Sequence, residues 1–504
     1  MKISGKSLEE SNSKIIEELR PISKRVAIKD PTIWGENTQA SFRLNWVDLP
    51  KNSRELLPQL DALSAWARSR NLDKVILCGM GGSSLAPQVI TATYQKMLTI
   101  IDSTNPDQIQ ASIPKKLSDV VIVIGSKSGT TIETISHLKL FEELLKQESL
   151  NPIDHIVIVT DSGTALDKSS RGQGYKVVNG DSNVGGRFSA LSAFGLVPAA
   201  LAGVDISIML DDAEALSKKL AADDSPAVVL AALLFDSTKQ IINFSDYQST
   251  IPGLSDWVEQ LIAESTGKNQ QGRLPIIIEH PDDAISGLSI GFTNGDFDLV
   301  VEGTLGEQFI LWEWVTALLC YLLKVDPFDQ PNVIEAKERT ESILSSIKNR
   351  TFVQPIPSYE DHEISTYSDN SYKNFTEFLM VDSQYVAIMA YLNKEDDKQF
   401  IQLKKLIASK VKKPVTFGWG PRFLHSTGQI HKGGQLNGSF IQITSTPMTT
   451  LEIPGQSFDF AELIMAQALG DGMALRECKL PVIRIHLKDR QKAFEKLLKE
   501  IESF

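Results

Sequence analysis

The sequence is poor in the features that would take a protein out of a reducing, aqueous setting. It has three cysteines in 504 residues, Cys78, Cys320 and Cys478, far apart and in no metal-ligand spacing. An odd count at such distances speaks against a secreted disulfide framework and predicts reduced, buried thiols in a cytoplasmic protein. Positive charge is in deficit: 51 Lys and Arg against 63 Asp and Glu leave a formal net charge of −12. Nucleic-acid backbones are held mainly by clusters of Lys and Arg, so no nucleic-acid partner is expected. An anionic ligand must instead be gripped locally, by backbone dipoles and a few cations. The polar, helical start MKISGKSLEESNSKIIEELR has no apolar centre, so neither a signal peptide nor a membrane anchor is expected there. Phe188 to Val204 carries no charge, but Gly195, Pro198 and Gly203 interrupt it and Asp205 closes it, which predicts a buried helix and not a membrane span. Gly (32) and Pro (22) are near ordinary usage, so a disordered or fibrous chain is also unsupported. With no dinucleotide fingerprint and no metal spacing, neither an organic cofactor nor a metal is expected.

What is present is a repeated pattern of apolar strand, glycine-bearing turn and amphipathic helix. VILCG (75–79), VVIVIG (120–125) and HIVIVT (155–160) are short apolar runs alternating with helical periodicity, the mark of parallel strands buried on both faces. Residues 1–50 read as a helical leader and 51–225 as a first, doubly wound α/β domain. The pattern restarts over 226–345 with QIINF, a helix around DWVEQLIAES, and strands LPIIIE (274–279) and FDLVV (297–301). A long apolar helix from about Glu307 to Leu323 follows, and VDPFDQPNV then breaks one helix and starts the next. Residues 346–375 read as a linker or long surface loop. Residues 376–504 form a C-terminal α/β section with YVAIMAYL as a helix, PVTFGW, SFIQIT and VIRIHL as strands, a helix from about Phe460 to Leu475 and a terminal helix. The fold class is therefore α/β, two doubly wound parallel-sheet domains with an α/β C-terminal section.

Three turns concentrate chemistry. Gly79-Met80-Gly81-Gly82-Ser83-Ser84 leaves a strand and opens a helix, where backbone N–H groups meet an anion, although such glycines also serve tight packing alone. Ser126-Lys127-Ser128-Gly129-Thr130-Thr131 gathers four hydroxyls and one cation at a second strand-to-helix junction. A helix cap needs one such residue, not four, so the composition favours a phosphate monoester. At Gly185-Gly186-Arg187-Phe188-Ser189 an arginine follows two glycines. It faces the same crevice if the turn lies at the strand ends, and is otherwise a salt-bridged surface residue.

In chain order, GMGGSSLAP, SKSGTT, GGRFSALSAFG, ESTGK and FDQPNVIEAK resemble the glucose-6-phosphate isomerases, a family with two α/β sugar-isomerase domains. The glycine-glycine-arginine-aromatic-serine turn lies at 185–189 and the FDQ motif ending in lysine at 328–337. The second departs from the family at Asn332, usually glycine, and at Ile334, usually glutamate. With GPRFLHSTGQIHKGG and the AQALGD helix, the likeness is to the isomerase half of fused transaldolase/glucose-6-phosphate isomerase proteins, and no transaldolase half is expected, since isomerase motifs begin within the first hundred residues. The resemblance implies interconversion of glucose 6-phosphate and fructose 6-phosphate through an enediolate, a homodimer, and no cofactor. Such a reaction needs a base, a cation near the oxyanion and a ring-opening acid/base pair. The resemblance places the base at Glu279, where the family's proline-glycine-threonine-asparagine run is replaced by His280-Pro281-Asp282-Asp283, with Glu264 of ESTGK as the alternative. It places the enediolate cation at Arg187, the ring-oxygen lysine at Lys337 and a substrate contact at Gln330. Phosphate falls to Ser126, Lys127, Ser128, Thr130 and Thr131, with Gly82 and Ser83 on the sugar side. The ring-opening histidine is expected at His425 or His431, flanked by Arg422 and Lys432, so that the C-terminal section completes the active site. The competing readings are a dual glucose/mannose phosphate isomerase and a non-catalytic sugar-phosphate-binding regulator.

Overall fold

The computed structural model describes residues 1–236, 240–346, 355–368, 372 and 374–504. A short strand β1 (Lys2–Ser4) precedes the five strands of a first sheet: β2 (Lys74–Gly79), β3 (Thr99–Ile101), β4 (Val120–Gly125), β5 (Ile156–Asp161) and β6 (Lys176–Gly180). Their spatial order is β3-β2-β4-β5-β6 and every pairing is parallel. β4 and β5 are buried along their whole length and β2 beyond Lys74, as a parallel sheet covered by helices requires. The chain lays β3 on one side of β2 and then crosses to lay β4 on the other, so the strand order reverses between β2 and β4. Turns leaving two such strands diverge and open a crevice at the carboxyl ends. Those turns start at Gly79 and Gly125, which the register pairs directly.

The second sheet adds β7 (Ile241–Ser245), β8 (Leu274–Ile277), β9 (Leu288–Gly291) and β10 (Leu299–Glu302), in the order β1-β10-β9-β7-β8. β1 pairs antiparallel with β10, so the leader expected over 1–50 supplies an edge strand besides the helix Ser13–Ala27. β1 and β9 are three and four residues long, too short for a period-2 signal to develop. One apolar core serves both sheets. It takes in the helix Ala193–Leu201 of the uncharged run and the long helix Leu305–Leu323. The chain forms two compact units, and both five-stranded sheets belong to the first, made of Met1–Asp102, Pro114–Pro281 and Gly287–Gln330. The division expected near residue 225 is thus internal to one unit, because the core runs through it.

The second unit comprises Ser103–Ile113, Asp282–Ser286 and Pro331–Phe504. Its six-stranded sheet runs β11-β12-β16-β15-β13-β14, with β11 (Tyr359–Glu360), β12 (Ile364–Tyr367), β13 (Tyr385–Tyr391), β14 (Val415–Trp419), β15 (Gly438–Ser445) and β16 (Val482–Leu487). β13 is YVAIMAY, which the sequence pattern reads as a helix. It is central, parallel to β14 and β15, and buried at every residue. An unbroken apolar run shows neither period, so only its neighbours distinguish strand from helix. Part of the expected linker is sheet as well: β11 and β12 pair antiparallel and β12 joins β16. Residues 347–354, 369–371 and 373 of that segment lie outside the described residues. Among the described residues no helix is long and apolar enough to cross a membrane.

Candidate functional site

The crevice between β2 and β4 is lined by the turns singled out in the sequence. Gly82 opens the helix Gly82–Thr93. A Cβ at Gly82 would stand 2.2 Å from the Gly186 carbonyl oxygen, so glycine here lets the 79–84 turn pack directly on the turn carrying Arg187. Half-buried Ser83 has its Cβ 3.4 Å from where a Cβ on Gly125 would be. It therefore faces the start of the 126–131 turn. In that turn Ser126 is buried and donates to the Thr131 hydroxyl (3.1 Å), while the exposed Ser128 and Thr130 hydroxyls share a hydrogen bond of 3.0 Å. Thr131 is the N-cap of the 16-residue helix Ile132–Gln147, yet its side chain does not cap it. The first-turn N–H groups thus keep no side-chain partner from the cap, which suits a phosphate at the positive end of the helix.

Lys127 is the exception in this turn. Its ammonium binds both oxygens of Asp161 (2.8 and 2.6 Å) and the Asp181 carbonyl (3.0 Å). Burial pushes the lysine down and the aspartate up, and each partner opposes the other's shift. The expected substrate contact is instead a tether between β5 and the loop before Arg187.

Arg187 lies in the short 3-10 turn Gly186–Phe188 and is only 5% exposed. Its Nη1 donates to the carbonyls of Glu264 (2.9 Å), Pro327 (2.9 Å) and Asp329 (3.3 Å), and its Nη2 to the Asp329 carbonyl (3.2 Å) and Gln330 Oε1 (3.2 Å). Among the described residues one carboxylate reaches it: Glu264 Oε1 lies 3.4 Å from Nη2. Glu264 is 7% exposed, near the end of the helix Leu254–Thr266, and its other oxygen accepts from Gln260 Nε2 at 3.1 Å. Buried Lys268 binds the Asp326 carbonyl, the Asp329 carbonyl (3.0 Å) and Asp329 Oδ1 (2.8 Å); burial first, then Arg187, pushes its pKa down. Beneath this polar cluster Phe188 packs on Trp46 and Phe328 (5.1 and 5.2 Å between ring centroids), and Phe328 on Trp34 (5.4 Å). The aromatic after the arginine and that of the FDQ motif thus hold the two loops together. Sequence reasoning reached Arg187, Gln330 and, as the alternative, Glu264. It missed Lys268 and Gln260, although ESTGK contains the lysine and the helix spacing of four points to the glutamine.

Glu279 does not join this group. It is exposed in the bend after β8, an edge strand, and its carbonyl accepts from the Ser245 hydroxyl (3.2 Å). The carboxylate the fold sets against Arg187 is Glu264. Within the second unit, Lys337 is exposed on the helix Pro331–Ser346. His425 is half-buried at the end of the 3-10 turn Arg422–His425 that follows β14. His431 is 3% exposed, shares a 2.9 Å hydrogen bond with the Tyr385 hydroxyl through Nδ1, and is pushed down to about 3 by burial and then by Lys432. A neutral histidine in the packed interior is a poor acid/base group at neutral pH. Its neighbour Lys432 pairs with buried Asp471 at 2.5 Å. Among the described residues there is no cluster of three or more His, Cys, Asp or Glu able to hold a metal.

Residues 54–286 match the family model described as phosphoglucose isomerase. The glucose-6-phosphate isomerase of Methanocaldococcus jannaschii is 29% identical over 293 residues, covering 54% of this chain and 72% of that protein. That of Fusobacterium nucleatum subsp. nucleatum is 26% identical over 389 residues, covering 60% of this chain and 86% of that protein. Among solved structures, a glucose-6-phosphate isomerase from Chlamydia trachomatis D/UW-3/Cx aligns with a TM-score of 0.50 at 19% identity, over 59% of this chain and 75% of that one, a likeness of fold. The matched residues 54–286 include all three turns, Glu264 and Lys268.

Proposed function

We propose that the chain is a member of the phosphoglucose isomerase family that interconverts glucose 6-phosphate and fructose 6-phosphate with Glu264 as the base. The observation that carries the assignment is the buried Glu264 carboxylate held 3.4 Å from Arg187. Phosphate binds at the 126–131 turn through Ser126, Ser128, Thr130, Thr131 and helix N–H groups, with Ser83 toward the sugar. Glu264 takes the proton from C2 of the open aldose, leaving an enediolate, and returns it to C1 while the O2 hydroxyl proton passes to O1, giving the ketose. Five of the contacts of Arg187 are to neutral oxygens. They hold the guanidinium in place without adding a second negative partner to Glu264, and its charge is assigned to the enediolate oxygens. Gln330, already bonded to Arg187, presents the remaining amide to substrate.

For ring opening we assign Lys337 on the family resemblance and His425 over His431, since only His425 has part of its surface open to solvent. Selective slowing by His425→Ala of reactions that start from cyclic sugar is the expected result. A homodimer is the working form on the same resemblance, and sedimentation of the purified protein reads it directly. The three cysteines, far apart in the chain, support a cytoplasmic setting.

The deciding experiment follows fructose 6-phosphate in heavy water, measuring glucose 6-phosphate formed and deuterium entering at C2. Wild type should show both and Glu264→Gln neither, while still binding a phosphorylated inhibitor. Activity retained in Glu264→Gln and lost in Glu279→Gln would return the base to Glu279. Sugar-phosphate binding by the wild type with no exchange would favour the regulator.

A further inference from the structure

We infer that Gln429, in the STGQ stretch of the C-terminal section, is a positioning residue for Lys337, an inference that rests on reading Lys337 as the group acting at the ring oxygen. Lys337 is exposed, so its place is set by the helix that carries it. That helix, Pro331–Ser346, begins directly after Gln330, and its first N–H groups need partners from outside. One is supplied to the second residue. The backbone N–H of Asn332 donates to Gln429 Oε1 (3.1 Å), and Gln429 Nε2 donates back to Asn332 Oδ1 (2.8 Å). A single amide therefore grips both the backbone and the side chain of Asn332, which sets the axial position of the first turn and also its rotation about the helix axis. Rotation matters because one residue of register turns a helical side chain by about 100°.

The grip is itself held. Gln429 is fully buried in the short helix Gly428–Gly433, where His431 is bonded to Tyr385 of β13 (2.9 Å) and Lys432 to Asp471 of the helix Phe460–Glu477 (2.5 Å). Farther along, Arg339 pairs with Glu477 on that same helix. The departure at Asn332 thereby acquires a reason. A glycine there would leave only the backbone half of the grip, whereas asparagine completes it with the residue that STGQ provides.

The test uses the whole 504-residue chain and follows ring opening alone, as α/β anomer exchange of glucose 6-phosphate by NMR, alongside steady-state kcat and KM. Gln429→Leu removes both bonds and should slow anomer exchange and kcat about tenfold or more, since small displacements of a reacting group are costly. KM should hold within about twofold, because the phosphate turn is untouched. Asn332→Gly keeps one bond and should lose several-fold, whereas Asn332→Asp keeps an acceptor for Nε2 and should retain the rate. Lys337→Met is the control and should abolish the exchange. Wild-type exchange in Gln429→Leu and Asn332→Gly, with Lys337→Met inactive, overturns the positioning role and leaves Lys337 its function. Wild-type exchange in Lys337→Met overturns both. Should Gln429→Leu fail to fold, Asn332→Gly against Asn332→Asp decides, and equal rates in the two overturn the inference.

Discussion

Glu264 and Glu279 are fifteen positions apart in the same α/β unit, and burial separates them. A base beside a fixed cation, shielded from water and with one oxygen held by Gln260, is preorganised in a way that a solvated carboxylate after an edge strand is not. Glu264→Gln should accordingly lower kcat by several orders of magnitude, and Glu279→Gln by less than about threefold, in a coupled assay of fructose 6-phosphate conversion. Ser128→Ala with Thr131→Ala should act on KM, raising it about tenfold with a small change in kcat, because phosphate binding is shared by ground and transition states. An unchanged KM would remove the phosphate from this turn. Buried His431 makes a pH prediction. Its folded pKa is depressed to about 3 from an ordinary 6.5, so below pH 6.5 the unfolded chain takes up a proton that the folded one refuses. Stability should fall as pH drops from about 6.5 toward 3, by at most about 1.4 kcal/mol per unit from this group. His486, depressed to about 4, slopes the same way. In urea titrations at pH 7 and pH 5, His431→Gln should show a smaller loss between the two than wild type.

Among the elements, the two loops at Arg187 depend on aromatic packing beneath them. Phe188 is fully buried and Phe328 is 6% exposed. Truncating either to Ala should cost roughly 3–5 kcal/mol of stability for the unit. Calorimetry gives that loss, and kcat should fall with it, because the carbonyls of Pro327 and Asp329 that hold Arg187 leave their places. The helices and strands themselves were legible to the extent that their burial is periodic or their length sufficient. β2, β4 and β5 stand out as apolar runs between glycine turns. β13, equally apolar, does not, since no glycine turn bounds its run, and β1 is too short. Lys127 illustrates a different limit: its turn composition points to phosphate, and only the fold shows that Asp161 on β5 takes its charge.

At the scale of the whole molecule, a segment between β3 and β4 belongs to the second unit. Asp107, in the helix Pro106–Ser112, accepts from the backbone N–H groups of Met448 (3.1 Å) and Thr449 (2.7 Å) and pairs with Arg490, which also reaches Asp397 at 3.5 Å. Thr104 donates to Gln467 at 2.6 Å. Residues 331–504 expressed alone lack these partners, so they should unfold at lower denaturant than the same unit in the full chain. Asp107→Ala in the full chain should destabilise that unit toward the lower end of about 3–5 kcal/mol, because Arg490 keeps Asp397. Hydrogen exchange in β13 and β15 checks both expectations, and protection equal to wild type would refute them. The sequence by itself determined the α/β class, the three glycine- and hydroxyl-bearing turns and the family likeness, because these rest on local apolar runs and on residues adjacent in the chain. The placing of Glu264 beside Arg187 and of Glu279 in solvent, the tether of Lys127, the interior place of His431 and the pairing of Asn332 with Gln429 were decided only in three dimensions. Each depends on which distant group desolvates or answers a polar side chain, and spacing along the chain does not encode that.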